Sequence, residues 1–572
     1  MKQLFSICRR GFLRFDGSGK RALSAYVLSL IVIAGIDGWA ILLVSKMLDR
    51  GLSQKSAENL DSEIKSMILV IGLFVLRSAL ALLISWLTTK KMANQEVLIG
   101  SENFARIQAG PWENRQGSQL SDLYTKVDRG PWALAQGIVF YCATIFAEMA
   151  SASVIFFILV FLQPITAITA ATYFLLIAVI QHKLISVSSK NAGQLTLDKG
   201  NRVYDILNDS FHLGKLLHVM QSKSLNEVLE NERNEYALAR SQSLFYESLP
   251  RYLMEASLAL GFVVIGSATY IFAGPSRLIS ALALFAVAGF RLLPSVNRIQ
   301  GLILALYGRV PLAEETLSVM QNAPDLGNNN FRLETNPTSD SDILKLSNVR
   351  YCYPNATEDA LKETNLTFEI GRMYAIVGPS GAGKTTLVDV CLGLLQPTTG
   401  EVIRKDASLR FAYVPQNTHL ASISLGENIA LEWDSLAVNS DQASDAMRKA
   451  LIADVFDGRT DEFNSSGMSG GQMQRIGIAR ALYRNPHFLV LDEATNALDA
   501  STENEIVGLV ENLRQGMTIL VVAHRLSTVR NADKVIYIEN GEIKGMGSFS
   551  ELEEQIPEFA AQVKLGQFSI GK

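Results

Sequence analysis

The sequence predicts an α-helical six-span transmembrane domain fused to an α/β P-loop domain. Three observations lead there. Six long apolar stretches precede residue 310. The octapeptide Gly378-Pro379-Ser380-Gly381-Ala382-Gly383-Lys384-Thr385 fits the phosphate-binding pattern G-x-x-x-x-G-K-[ST]. A later apolar run, Phe488–Leu491, ends in Asp492 and Glu493.

A chain of 572 residues holds at least two domains. Its hydrophobic share of 48% and mean hydropathy of +0.18 are high for a soluble enzyme. The net charge of −4 is too small to imply a nucleic-acid partner. Cys8, Cys142, Cys352 and Cys391 are scattered, which predicts reduced thiols rather than a disulfide framework or a metal site. The N-terminus is basic (Arg9, Arg10, Arg14, Lys20, Arg21), but the apolar run behind it is too long for a leader and reads as a first span.

The apolar stretches lie near 22–48, 66–88, 136–162, 164–187, 250–274 and 277–306. A spanning helix needs roughly 20 apolar residues, and each stretch reaches that length. Soluble helices rarely run so long without a polar stripe. Lys90, Lys91, Lys183 and Lys190, with the N-terminal cluster, fall on the inner side by the positive-inside rule. Both termini are then cytoplasmic, and the polar segments about 89–135 and 188–249 extend the helices into the cytoplasm. Asp37, Arg77, Glu148, Glu255, Arg291 and Arg298 are ionisable groups inside the predicted spans. Such groups face a bundle interior or a wet cavity. Either they pair across helices, or Arg77, Arg291 and Arg298 line a cavity for an anionic head group, since guanidinium binds phosphate bidentately.

Residues 321–342 have a linker composition, which divides the chain into 1–320, 321–342 and 343–572. Beyond it, Tyr374–Val377 reads as a buried strand entering the phosphate loop, and Thr385, Thr386 and the residues after them continue as a helix. Backbone N–H groups and the helix start surround the phosphates. Lys384 neutralises the β- and γ-phosphates and the Thr385 hydroxyl ligates Mg²⁺. Asp492 ends its strand, where its carboxylate holds Mg²⁺, and Glu493 is the general base for the attacking water.

Residues 343–555 resemble the nucleotide-binding domain of an ATP-binding-cassette (ABC) transporter, and the whole chain is similar to a half-size exporter. The resemblance implies further roles, residue by residue. Tyr353 is the aromatic that stacks on adenine. Gln416, in Tyr413-Val414-Pro415-Gln416, contacts Mg²⁺ and senses the membrane domain. Met468-Ser469-Gly470-Gly471-Gln472 matches the family signature Leu-Ser-Gly-Gly-Gln. Asn496-Ala497-Leu498-Asp499 is the loop that crosses between two sites, and His524 is the switch histidine. Ser469 and the two glycines open a helix, which makes a second anion site. In the family that site faces the nucleotide of another copy, so two chains, either identical or different, meet head to tail around two ATPs. The segment 460–467 lacks the Gly-Glu-x-Gly common in these exporters, although Asp461 and Glu462 are acidic.

The cargo is less legible. Phe290–Ile299 resembles the matching segment of exporters that flip polyprenyl-diphosphate-linked oligosaccharides, and residues 208–215 resemble a coupling-helix region. Arg291 and Arg298 stand at i and i+7 beside Pro294, which could kink the helix. The resemblance implies an ATP- and Mg²⁺-dependent exporter or flippase in the bacterial inner membrane. It would move an amphipathic or lipid-linked substrate, or alternatively peptides, drugs or simple lipids. A regulatory or mechanical cassette ATPase is the reading from another class, and the fused spans argue against it.

Overall fold

The computed structural model describes residues 2–52, 60–115, 119–162, 164–213, 216–217, 219, 224–274, 278–322, 341–354, 356–406, 408–453, 468–493, 500–514, 516–523 and 529–564. Residue contacts divide the chain into two units. One comprises Met1–Gly110 with Gln116–Asn328, the other Pro111–Arg115 with Asn329–Lys572.

The first unit is helical. A short helix, Lys2–Arg14, precedes long ones at Gly17–Leu52, Leu60–Ala109, Pro164–His212, Ser224–Ala273 and Leu278–Asn322. Between residues 120 and 162 the chain is helical throughout, with π turns at Thr125–Arg129 and Ala133–Val139. Leu60–Ala109 has 50 residues, roughly 75 Å at the usual rise, more than twice a hydrocarbon core. The polar segments are thus largely continuations of the apolar helices. Five described stretches are long and apolar enough to cross a membrane: Gly17–Ile36, Met67–Ala109, Leu120–Ile158, Ala167–His212 and Ser224–Ile271. The sixth sequence stretch, 277–306, lies within Leu278–Asn322, whose side chains are described only in part. That helix continues through Pro294 and Pro311.

Small residues set the closest approaches. A Cβ on Gly193 would lie 2.4 Å from the Gly308 carbonyl oxygen, so the helices at 164–212 and 278–322 touch backbone to backbone there. Arg309 puts its guanidinium 5.0 Å from the Trp132 ring centroid and 4.5 Å from that of Tyr141, a cation–π arrangement that keeps a charge inside a helix bundle.

The second unit contains two sheets. β1 (Asp342–Tyr351) pairs antiparallel with β2 (Leu361–Glu369) and β4 (Thr399–Arg404). The larger sheet runs β5-β6-β7-β3-β8-β9, with β3 Met373–Val377, β5 Phe411–Val414, β6 Phe488–Asp492, β7 Thr518–Val522, β8 Lys534–Glu539 and β9 Glu542–Gly547. All its pairings are parallel except β8–β9. Every residue of β3 and β7 is buried. Continuous apolar runs of this kind are what a parallel sheet covered on both faces requires. One face packs Ala375, Leu489 and Val521 against the helices Gly470–Tyr483 and Ala500–Leu513. The other packs Tyr374, Ile376, Val490 and Leu520 against the helix Lys384–Leu392.

Candidate active site

Strand order builds the site. Ile376 on β3 is in register with Val522 on β7, and Val522 with Asp492 on β6. The loop that follows Val377 and the carboxylate of Asp492 therefore reach the same carboxyl edge of the sheet, where open α/β sheets bind ligands. On the far side, Val414 of β5 pairs with Leu491, so Gln416 leaves the sheet beside Glu493.

The phosphate loop depends on glycine at three points. A Cβ on Gly378 would lie 2.0 Å from the Ile538 carbonyl oxygen. Gly381 (φ 78°) and Gly383 (φ 101°) are left-handed, the conformation that glycine adopts without strain. Gly383 caps the helix Lys384–Leu392, so Thr385 and Thr386 lie in its first turn with N–H groups that have no intrahelical acceptor. Pro379 and Ser380 are exposed in the loop and Ala382 is buried behind it.

Lys384 is 8% exposed and donates to the carbonyl oxygens of Gly378 (2.8 Å) and Pro379 (2.9 Å). Burial lowers its pKa, while Glu493 and Asp492 pull it back toward the charged form. A buried cation beside two carboxylates, at the start of a helix and under a glycine loop, is a donor set that fits a polyphosphate with a divalent cation. Gln416 Nε2 donates to Glu493 Oε2 at 2.6 Å. Glu493 has φ 48° and its N–H donates to the Val522 carbonyl at 3.2 Å. A left-handed glutamate is uncommon, and such backbone clusters at functional sites. The Tyr353 hydroxyl lies 3.2 Å from Thr386 Oγ1, and its ring packs edge-on against Tyr351.

The signature segment is a helix start. Ser469 is the N-cap of Gly470–Tyr483, accepting from the Gln472 N–H at 3.2 Å, and Gln472 Oε1 accepts from the Ser469 N–H at 3.1 Å. This capping box engages the side-chain oxygens of both residues as acceptors. Gly470 and Gly471 then head the helix with unclaimed N–H groups.

Two residues were not singled out from the sequence. The Tyr413 hydroxyl donates to Asp492 Oδ2 at 2.9 Å; burial first, then Asp492, raises its pKa. Asp389, 7% exposed in the phosphate-loop helix, has its pKa raised to about 6 by burial and, secondarily, by Asp492. Neither belongs to a local pattern, because both contacts depend on strand register and helix placement. His524, Asp499 and the segment 460–467 lie outside the described residues.

In the helical unit, Arg298 Nη1 pairs with Glu148 Oε1 at 2.9 Å, joining the helices Leu278–Asn322 and Phe140–Leu162. Arg251 pairs with Glu255 one turn away. Arg77 is half-buried. The side chains of Arg291 and Asp37 are outside the description.

This is an α/β nucleotide-site domain on a chain with membrane-length helices. Residues 361–496 match the family described as ABC transporter. The ATP-dependent lipid A-core flippase of Ralstonia nicotianae is 36% identical over 226 residues, covering 36% of this chain and 38% of the relative. The heterocyst differentiation ATP-binding protein HepA of a Nostoc species is 32% identical over 315 residues, 52% of this chain and 50% of the relative. The β-(1→2)glucan export ATP-binding/permease protein NdvA of Rhizobium etli is 34% identical over 237 residues, covering 39% and 40%. The chain spans half or less of the length of each of these relatives. A bacterial Atm1-family ABC exporter with ATP bound aligns with a TM-score of 0.78 at 19% identity, over 97% of this chain and 100% of that one. Residues 361–496 thus form an ABC transporter ATPase domain, and the chain as a whole has the fold of that exporter.

Proposed function

We propose that this chain is half of a homodimeric, ATP-driven exporter or flippase with six spans and both termini in the cytoplasm, set in a bacterial inner membrane. The observation that carries the reading is the 2.6 Å bond from Gln416 to Glu493 beside Asp492, at the mouth of a glycine loop. Lys384 and the loop amides from Gly378 to Thr386 hold the triphosphate, and Tyr353 stacks on adenine. Thr385, Asp492 and Gln416 ligate Mg²⁺, which supplies charge neutralisation on the phosphate oxygens. Glu493 accepts the proton of the attacking water, with His524 at the γ-phosphate. Ser469, Gly470, Gly471 and Gln472 of the second copy close the site, and Asp499 links the two sites.

The cargo in this reading is amphipathic and lipid-linked, in keeping with relatives named for lipid A-core and glucan export. Arg77, Arg291 and Arg298 would face its anionic head group. The Arg298–Glu148 pair favours the second reading, an exporter of peptides, drugs or simple lipids, in which these arginines hold helices together. The test is reconstitution into vesicles with a panel of fluorescent cargoes. ATP should drive transport of lipid-linked diphosphates, and Glu493→Gln should bind ATP normally yet lose nearly all hydrolysis and transport. Hydrolysis by that variant near the wild-type rate would remove Glu493 as the base; transport of neutral cargo alone would leave the second reading.

A further inference from the structure

The surface of the helical unit carries an open cavity of about 600 Å³ that the transport reading does not use. Three helices each give it one face. Lys2–Arg14 contributes Phe5, Arg9 and Phe12, Gly17–Leu52 contributes Val27 and Ile31, and Phe140–Leu162 contributes Phe146. The short helix is anchored through its opposite side, where Leu4 and Ile7 are buried. A Cβ on Gly11 would lie 2.8 Å from Leu134 and Val139. The cavity is therefore a consequence of fixed packing. Its rim is apolar and open, with Phe5 67% and Leu28 65% exposed.

We propose that this cavity binds an acyl chain of an anionic glycerophospholipid, whose phosphate rests on Arg9. The volume falls within the range of about 300–1,000 Å³ typical of small-molecule sites. Apart from Arg9, the walls are almost wholly apolar, and the Ser24 hydroxyl is spent on the Lys20 carbonyl at 3.0 Å. A peptide would bring N–H and C=O groups that need partners, and the walls supply none. An acyl chain needs none. Arg9 is exposed and is the one charged group in the lining, and no ion pair is formed by it among the described residues. Guanidinium takes phosphate bidentately. Lys2, Arg9, Arg10 and Arg14 make the helix purely basic, without one carboxylate. That is the charge pattern of a helix lying against an anionic leaflet. The lipid is a resident ligand, distinct from the cargo, and its site lies outside the ATP machinery.

The test uses the full chain in phosphatidylcholine nanodiscs doped with phosphatidylglycerol carrying a mid-chain diazirine, against the matching phosphatidylcholine probe. Photolabelling mapped by peptide mass spectrometry should place phosphatidylglycerol on the peptides containing Phe5–Phe12 and Cys142–Phe146, saturably and in excess over the neutral probe. Arg9→Gln should cut phosphatidylglycerol labelling roughly fivefold, the effect of one basic residue at an anionic surface. Arg14→Gln, on a residue that does not line the cavity and already pairs with Glu102 at 3.5 Å, should reduce labelling much less than Arg9→Gln. Ser24→Trp fills the cavity from an exposed position and should abolish labelling by both probes. Equal labelling by the two lipids in the wild-type chain, or phosphatidylglycerol labelling indifferent to both Arg9→Gln and Ser24→Trp, overturns the site.

Discussion

Tyr413 shows how a single hydroxyl can set the geometry of a carboxylate. Its 2.9 Å bond to Asp492 Oδ2 fixes one oxygen of that carboxylate and with it the plane of the group. With Asp492 as a metal ligand, Tyr413→Phe should weaken Mn²⁺ binding in the presence of nucleotide, read by electron paramagnetic resonance, several-fold for the loss of about 1 kcal/mol. Nucleotide binding without metal should not change; if both fall together, Tyr413 serves the fold and not the metal. Asp389 makes a second prediction. Its pKa is about 6 in the fold against about 3.9 unfolded. A raised carboxyl pKa leaves the fold without penalty below pH 4 and costs stability as pH rises through 6. The full penalty above pH 6 is on the order of 2–3 kcal/mol. Asp389→Asn should therefore raise the melting temperature of the metal-free chain at pH 7.5, with the gain vanishing near pH 4. A gain equal at both pH values would rule out titration as its source. The phosphate loop was legible because glycines and Lys384 lie within one octapeptide. The Tyr413–Asp492 bond was not, because 79 residues separate its partners.

At the level of elements, buried strands and the helix start at Ser469 were readable from local sequence, and the structure adds the cap. Tyr374–Val377 and Phe488–Leu491 are apolar runs too short for helices, and Ser469 followed by Gln472 three residues later is a capping box. Long polar stretches such as 188–249 were readable only as extensions, since nothing in their composition says where a helix ends. Interhelical pairing was beyond sequence reading: Arg298 had several possible carboxylate partners, and the fold selects Glu148. The Arg298 end of this pair is 59% exposed and the Glu148 end 15%. Solvent screening at the exposed end limits the pair to about 1 kcal/mol or less. Arg298→Gln should lower the melting temperature modestly, and the exchange of Arg298→Glu with Glu148→Arg should restore it. An anionic-cargo role predicts a different outcome: stability unchanged in Arg298→Gln, and transport of diphosphate cargo lost in both variants.

For the whole molecule, the sites require two copies in the proposed mechanism. One chain has one phosphate loop and one signature helix start. Gly470 and Gly471 offer N–H groups with no acceptor of their own in the helix, which suits an anion delivered by another chain. Ser469→Arg would remove the capping box and place a bulky cation at that start, while Lys384→Ala would remove the cation under the phosphate loop. Either variant alone gives a dimer with two damaged sites. Mixing the two chains produces heterodimers in which one site carries both lesions and the other carries neither. If one intact site turns over by itself, a random mixture in equal parts makes half of all dimers competent at one of two sites. Hydrolysis should then recover to roughly a quarter of wild type, an order-of-magnitude figure that assumes independent sites and free exchange of chains. The recovery should disappear when exchange is blocked by reconstituting each variant separately before mixing. Full hydrolysis by a chain shown to be monomeric in its nanodisc would instead make each copy self-sufficient, and the signature would then act within its own chain.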